Sequence, residues 1–268
     1  MIKMVPFTID SQASIIGNFP SNWTHYDVTR EPMLFNCTRE FAYKFGGPIT
    51  KACLDNLPED WQSCQIVIES LVHKLKLGWY PYVSGYHCDD RVGYTKLNSE
   101  LVKGIPASFL QSDRAKNDHI IALINADISP TEFAIGKYEV EVPEFDEKHY
   151  DSLVELMKLK MNTPETCDKR WPIWHLHFRV QDLVNKNIMK KINAPNASYV
   201  QYDDKTFHKT VPATTNGYRW FIRISRSKDG KEYTNHEYTN EVRHSSHVYI
   251  NFPDLDVIES YANMKNKK

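Results

Sequence analysis

Glycine-rich phosphate loops are missing from this 268-residue chain, which holds only ten glycines. Neither G-x-x-x-x-G-K-[ST] nor G-x-G-x-x-G occurs, so P-loop and Rossmann readings have no support. G-x-S-x-G is absent too, which argues against an α/β-hydrolase nucleophile elbow. Cysteine is scarce: Cys37, Cys53, Cys64, Cys88 and Cys167 are odd in number, form no C-x-x-C pair, and point to a reducing compartment. The start, MIKMVPFTIDSQ, lacks the apolar core of a signal peptide, and no apolar run reaches membrane-spanning length. Without a secretory context, the sequons at Asn22, Asn36 and Asn196 carry little weight. A cytoplasmic protein without a membrane partner is expected. Charge of one sign is also lacking: 33 basic residues against 34 acidic ones give a net −1, so no basic stripe for nonspecific nucleic-acid binding is expected.

What the chain has is an ordinary globular composition, 41% hydrophobic and 25% charged, sufficient to bury one sizeable core. One domain is expected over 1–268, with its core at about 56–252. Residues 1–50 read as an irregular cover with short strands, 143–197 as an insertion and 253–268 as a frayed tail. The clearest helix is expected over 56–76. Asp55 or Asn56 would cap it, and Trp61, Cys64, Val67, Ile68, Leu71, Val72 and Leu75 recur at helical spacing up to Gly78. Strands are expected over 79–90, over 118–136 as a pair with a turn at 127–130, and over 174–180, 198–202, 217–225 and 247–252. A further short helix is expected at 147–160. Many short strands with turn signals between them argue a mainly β (α+β) chain: an antiparallel barrel or jelly roll, arranged as a double-stranded β-helix braced by helices.

Two stretches organise this layout. The first is Gly85-Tyr86-His87-Cys88-Asp89, where a strand would turn His87 and Asp89 to one side. The second runs from Phe207 to Ser225, FHKTVPATTNGYRWFIRIS, with His208 at its start and Arg219 eleven residues later. Two imidazoles and one carboxylate with open coordination positions form the facial triad of non-haem Fe(II) oxygenases, so His87, Asp89 and His208 are the candidate iron ligands. A 2-oxo acid and O2 fit the open positions, and the far carboxylate of 2-oxoglutarate then needs a cation deeper in the barrel. A guanidinium grips a carboxylate through two parallel hydrogen bonds. Arg219, Phe221, Arg223 and Ser225 share one strand face. Arg219 is therefore the first candidate, with Arg223 as its rival and Ser225 as a hydroxyl partner. The plain alternative makes His87 a turn cap through Asp89 and His208 a surface strand end.

In these residues the chain resembles the Fe(II)/2-oxoglutarate-dependent oxygenases. His87-Cys88-Asp89 matches the first ligand pair of that superfamily. The run from Phe207 to Arg219 looks like the H-x-V-x-P-(V/A)-T-x-G-x-R segment of prolyl-4-hydroxylase-like members, with one extra residue in the turn. Leu123 to Gly136, carrying Thr131-Glu132-Phe133, is similar to a strand pair of phytanoyl-CoA hydroxylase-like members. The resemblance spans residues 80–225. It implies a double-stranded β-helix, decarboxylation of 2-oxoglutarate to succinate coupled to hydroxylation or oxidative demethylation of a substrate, ligand roles for His87, Asp89 and His208, and cosubstrate binding by Arg219.

Among Trp79, Tyr80, Tyr82, Tyr86 and Tyr94, core packing is the ordinary role, but a hydroxyl there, Tyr80 foremost, could reach the 2-oxoglutarate carboxylate. His175 and His177 offer a cupin-like alternative ligand pair. A non-catalytic jelly-roll binding module remains the reading from another class. Substrates compatible with the triad are a small molecule, a protein side chain, or a nucleobase, the last needing single-stranded access or base flipping.

Overall fold

A run of apolar and β-branched residues such as Ile66-Val67-Ile68 suits a strand covered on both faces, and such a run carries no two-residue alternation to announce it. In the computed structural model, which describes residues 4–82, 85–89, 117–143, 179–228, 238–246 and 248, this run opens strand β4 (Val67–Leu75). The helix expected over 56–76 is therefore corrected. Its first part is one turn, α4 (Glu59–Gln62), started by Pro58. Asn56 closes the preceding helix α3 (Pro48–Asp55) instead of opening a new one. Gly78, which suggested a helix end, sits at φ 82 in the turn that leaves β4, a backbone conformation that glycine adopts without steric cost.

The cover expected over 1–50 has its short strands but is more regular than expected. It holds strands β1 (Met4–Ser11), β2 (Ala13–Asn18) and β3 (Met33–Cys37), helices α1 (His25–Arg30) and α2 (Arg39–Phe45), and the start of α3. These helices are six to eight residues long, too short for a periodic signal, but their caps are written in the sequence. Thr24 and Asp27 form a capping box on α1, Thr38 accepts from the Phe41 N–H on α2, and Pro48 opens α3.

The remaining strands are β5 (Asn117–Ile124), β6 (Thr131–Pro143), β7 (Lys190–Asn193), β8 (Ser198–Asp203), β9 (His208–Thr210), β10 (Gly217–Ser227) and β11 (Glu241–Arg243). The expected pair around 127–130 is β5 and β6, and the strands expected over 198–202 and 217–225 are β8 and β10. Residues 147–160, 174–178 and most of 247–252 lie outside the described residues. Arg179 and Val180, expected to end a strand, are helical, in a segment reaching residue 185.

All described pairings are antiparallel and build two sheets. The larger runs β11-β3-β4-β10-β5-β8-β2, and the smaller runs β1-β6-β7 with β9 also on β6. The chain is mainly β, in an arrangement compatible with a sandwich. Alternation along β10 sorts the layers. Trp220, Ile222 and Ile224 join Ile68, Ile120, Ala122 and Tyr199 in a core roofed by Ala42, Ile49, Cys53, Leu54 and Trp61 of the helices. On the other face of this sheet Ile121, Leu123, Val200 and Tyr202 meet Phe133 of the smaller sheet. The outer face of the smaller sheet packs Ile9 and Ala134 against Val180, Leu183 and Val184. Among the described residues no helix is long and apolar enough to cross a membrane.

Candidate metal centre

Between the sheets lies a cavity lined by residues that include Glu69, Leu71, His73, Tyr82, His87, Asp89, Thr131, Tyr202, His208, Arg219, Phe221 and Arg223. The chain segment that carries His87 is not the regular strand expected over 79–90. Pro81 lacks an N–H for a ladder, and among the described residues of this segment Tyr80 and His87 make only isolated bridges. One of these matters most. His87 and His208 pair antiparallel, with His87 N–H to His208 O at 2.9 Å and His208 N–H to His87 O at 3.0 Å.

That pairing places two imidazoles side by side, ring centroids 4.5 Å apart. The ligand atoms of His87, Asp89 and His208 all lie within 4.8 Å of one another. The tautomer of each ring is set by a neighbouring carbonyl. His87 Nδ1–H donates to the Gly85 carbonyl at 2.7 Å and His208 Nδ1–H to the Thr206 carbonyl at 3.1 Å. A carbonyl only accepts, so each Nδ1 carries a proton, and in the neutral ring the lone pair then lies on Nε2, where a metal would bind. Burial, only partly opposed by Asp89, pulls His208 down to about 3, so it is neutral at neutral pH. For Asp89 burial pushes the other way, but the Arg223 guanidinium beside it holds its carboxyl well below the usual range. Its Oδ2 accepts from Tyr202 OH at 2.8 Å and from Arg223 Nη1 at 2.7 Å, and lies 3.5 Å from His208 Nε2. Two imidazoles and an ionised carboxylate are the donor set that a divalent transition metal binds, and here they converge from two segments bridged to each other.

The two candidate arginines differ sharply. Arg223 is taken: Nη2 pairs with Glu69 Oε2 at 2.7 Å while Nη1 holds Asp89. Arg219 is 1% exposed, and only its Nη2 has a partner, Thr131 Oγ1 at 3.1 Å. Its Nε and Nη1 have none among the described residues. Burial lowers Arg219 to about 9, which leaves it cationic at neutral pH.

Two expected cosubstrate contacts do not line the described cavity. Ser225 is fully buried and its hydroxyl meets His119 Nδ1 at 2.8 Å, while His119 Nε2–H donates to Asp204 at 2.6 Å, so Ser225 braces β10 against β5 rather than lining the cavity. Tyr80 is half-buried and is not part of the described cavity wall; Tyr82 is. The bend around Pro81 breaks the alternation that would have kept the two tyrosines equivalent. His73, Glu69 and Tyr202 were missed. The first two lie two and six residues before Leu75 in the stretch read as helix, and no motif marked the third. Cys88 packs with Ile9 and Tyr86 on the outer face, away from the triad. His175 and His177 lie outside the described residues.

The chain matches no protein-family model and no curated protein. The functional reading therefore rests on the site.

Proposed function

We propose that this protein is an Fe(II)- and 2-oxoglutarate-dependent dioxygenase on a double-stranded β-helix. The observation that carries the reading is one cavity holding both a His–Asp–His cluster and a buried guanidinium with unpaired donors.

Strand order supports the fold. Counting β4, residues 85–89, β5, β6, β7, β8, β9 and β10 as eight successive segments, the first, eighth, third and sixth are neighbours in the larger sheet. The second, seventh, fourth and fifth are neighbours in the other, through the His87–His208 bridge. Such interleaving is what two nested Greek keys produce.

His87, Asp89 and His208 would hold Fe(II), and Arg219 with Thr131 would hold the carboxylate of 2-oxoglutarate remote from the metal. With both bound, the centre supplies oxidative decarboxylation to succinate coupled to oxidation of a substrate C–H bond. Spacing supports the assignment. Phe133 pairs with His208 and Thr131 with Thr210, so Thr131 lies about 7 Å along β6 from the level of His208, the scale of a five-carbon diacid. Charge supports it as well. The cavity wall carries two carboxylates, Glu69 and Asp89, against two guanidiniums, Arg219 and Arg223. A divalent cation alone upsets that balance in a dry site, whereas a divalent cation with a dianion preserves it. Arg223 keeps Asp89 ionised and oriented, and Tyr202 fixes the same oxygen.

Succinate release in air tests the proposal. Wild type with Fe(II) and 2-oxoglutarate is expected to form succinate slowly even without substrate, and Asp89→Ala to form none. Equal release from the two proteins would refute it.

A further inference from the structure

His73 stands opposite Arg219 in the β4–β10 ladder and is 2% exposed. Neither ring nitrogen has a hydrogen-bond partner among the described residues, and the same holds for Nε and Nη1 of Arg219. Both side chains line the cavity, together with Thr131. A neutral imidazole carries one N–H donor and one acceptor nitrogen. Burying both without partners is unfavourable, and an apolar residue of similar size would not incur that cost. The ring is therefore poorly explained as packing and well explained as a donor for something the cavity takes in. Burial, then the charge of Arg219, pulls His73 down to about 3, so the crevice presents one positive charge, matched to one carboxylate.

Building on the oxygenase reading, we propose that His73 is a positioning and specificity residue for the cosubstrate. Its N–H, beside Arg219 and the Thr131 hydroxyl, receives the remote carboxylate of 2-oxoglutarate and favours a terminal carboxylate over an apolar end.

The test compares wild type with His73→Leu and His73→Gln. Mn(II)-loaded protein is titrated without oxygen with 2-oxoglutarate and with 5-methyl-2-oxohexanoate, in which an isopropyl group replaces the remote carboxylate. His73→Leu is expected to weaken 2-oxoglutarate about 10- to 100-fold, the scale of a hydrogen bond to a charged group. Affinity for the apolar isostere and for Mn(II) should change little, and His73→Gln, which retains a donor, should recover part of the loss. In parallel, metal-free His73→Leu is expected to melt no lower than wild type, because its unpaired nitrogens are gone. A purely structural His73 predicts the opposite. Unchanged 2-oxoglutarate affinity in His73→Leu, equal loss of both 2-oxo acids, or a His73→Leu chain that cannot fold would each overturn the proposal. Wild type that binds neither 2-oxo acid sinks the oxygenase reading itself, which separates the two failures.

Discussion

Arg223 holds the carboxylate of Asp89 through a 2.7 Å ion pair and the carboxylate of Glu69 through another of the same length. One guanidinium thus bridges a metal-ligand candidate and a neighbour across the β4–β10 ladder. Arg223→Met leaves two like charges in a buried wall. The metal-free variant is expected to lose about 3–5 kcal/mol of stability, the scale for breaking a buried pair from one side. Added Mn(II) should then raise its melting temperature more than it raises that of wild type. Equal shifts in thermal melts would show that Asp89 does not face the metal.

Ser225 gives a sharper separation of roles. Because its hydroxyl contacts His119 rather than the cavity, Ser225→Ala is expected to lower stability by about 1–2 kcal/mol. Its 2-oxoglutarate affinity should stay at the wild-type value. Denaturant unfolding and equilibrium titration check the two halves independently.

Acid should unfold the metal-free protein through its buried imidazoles. His73 and His208 are held at about 3 in the fold, while an unfolded histidine titrates near 6.5. Protons therefore bind the unfolded chain first. Stability is full above pH 6.5 and declines as pH falls toward 3, by up to about 1.4 kcal/mol per pH unit for each ring. Melting temperatures between pH 6.5 and 4.5 should fall steadily, and His73→Leu should fall less steeply. A pH-independent melting temperature over that window would contradict the burial of these rings.

Strands β5, β6 and β10, which line the candidate site, were legible because each shows its own signal. Gly217 to Ser225 alternates Arg219, Phe221 and Arg223 toward the cavity with Trp220, Ile222 and Ile224 toward the helices, and β5 and β6 are separated by a polar turn. The grouping of His87, Asp89 and His208 was read from the H-x-D spacing together with the His208-to-Arg219 segment and the resemblance they carry, and the structure brings the three within 4.8 Å of one another. Strand β4 was not legible because both of its faces are covered. Leu71 and His73 face the cavity while Ile68 and Val72 meet the helix side, so its apolar residues recur at intervals that also fit a helix. Misplacing β4 concealed Glu69 and His73, whose importance depends on the strands beside them. The N-terminal helices were lost for another reason: they are held by caps and by packing on the larger sheet, not by their own periodicity. Ser225 lies off the described cavity because two-residue alternation says which face a side chain takes, not how far the cavity extends along it, and Tyr80 because the bend at Pro81 ends the alternation.

The most direct measurement is an anaerobic titration of Fe(II)-loaded protein with 2-oxoglutarate, followed through the visible charge-transfer band of an Fe(II) 2-oxo acid chelate. The account predicts the band in wild type and its loss in His208→Ala. Arg219→Leu should need at least about 30-fold more 2-oxoglutarate to develop it, the lower end expected for removing one partner of a buried charge pair. A wild-type protein that develops no band, or an Arg219→Leu protein that titrates like wild type, would contradict it.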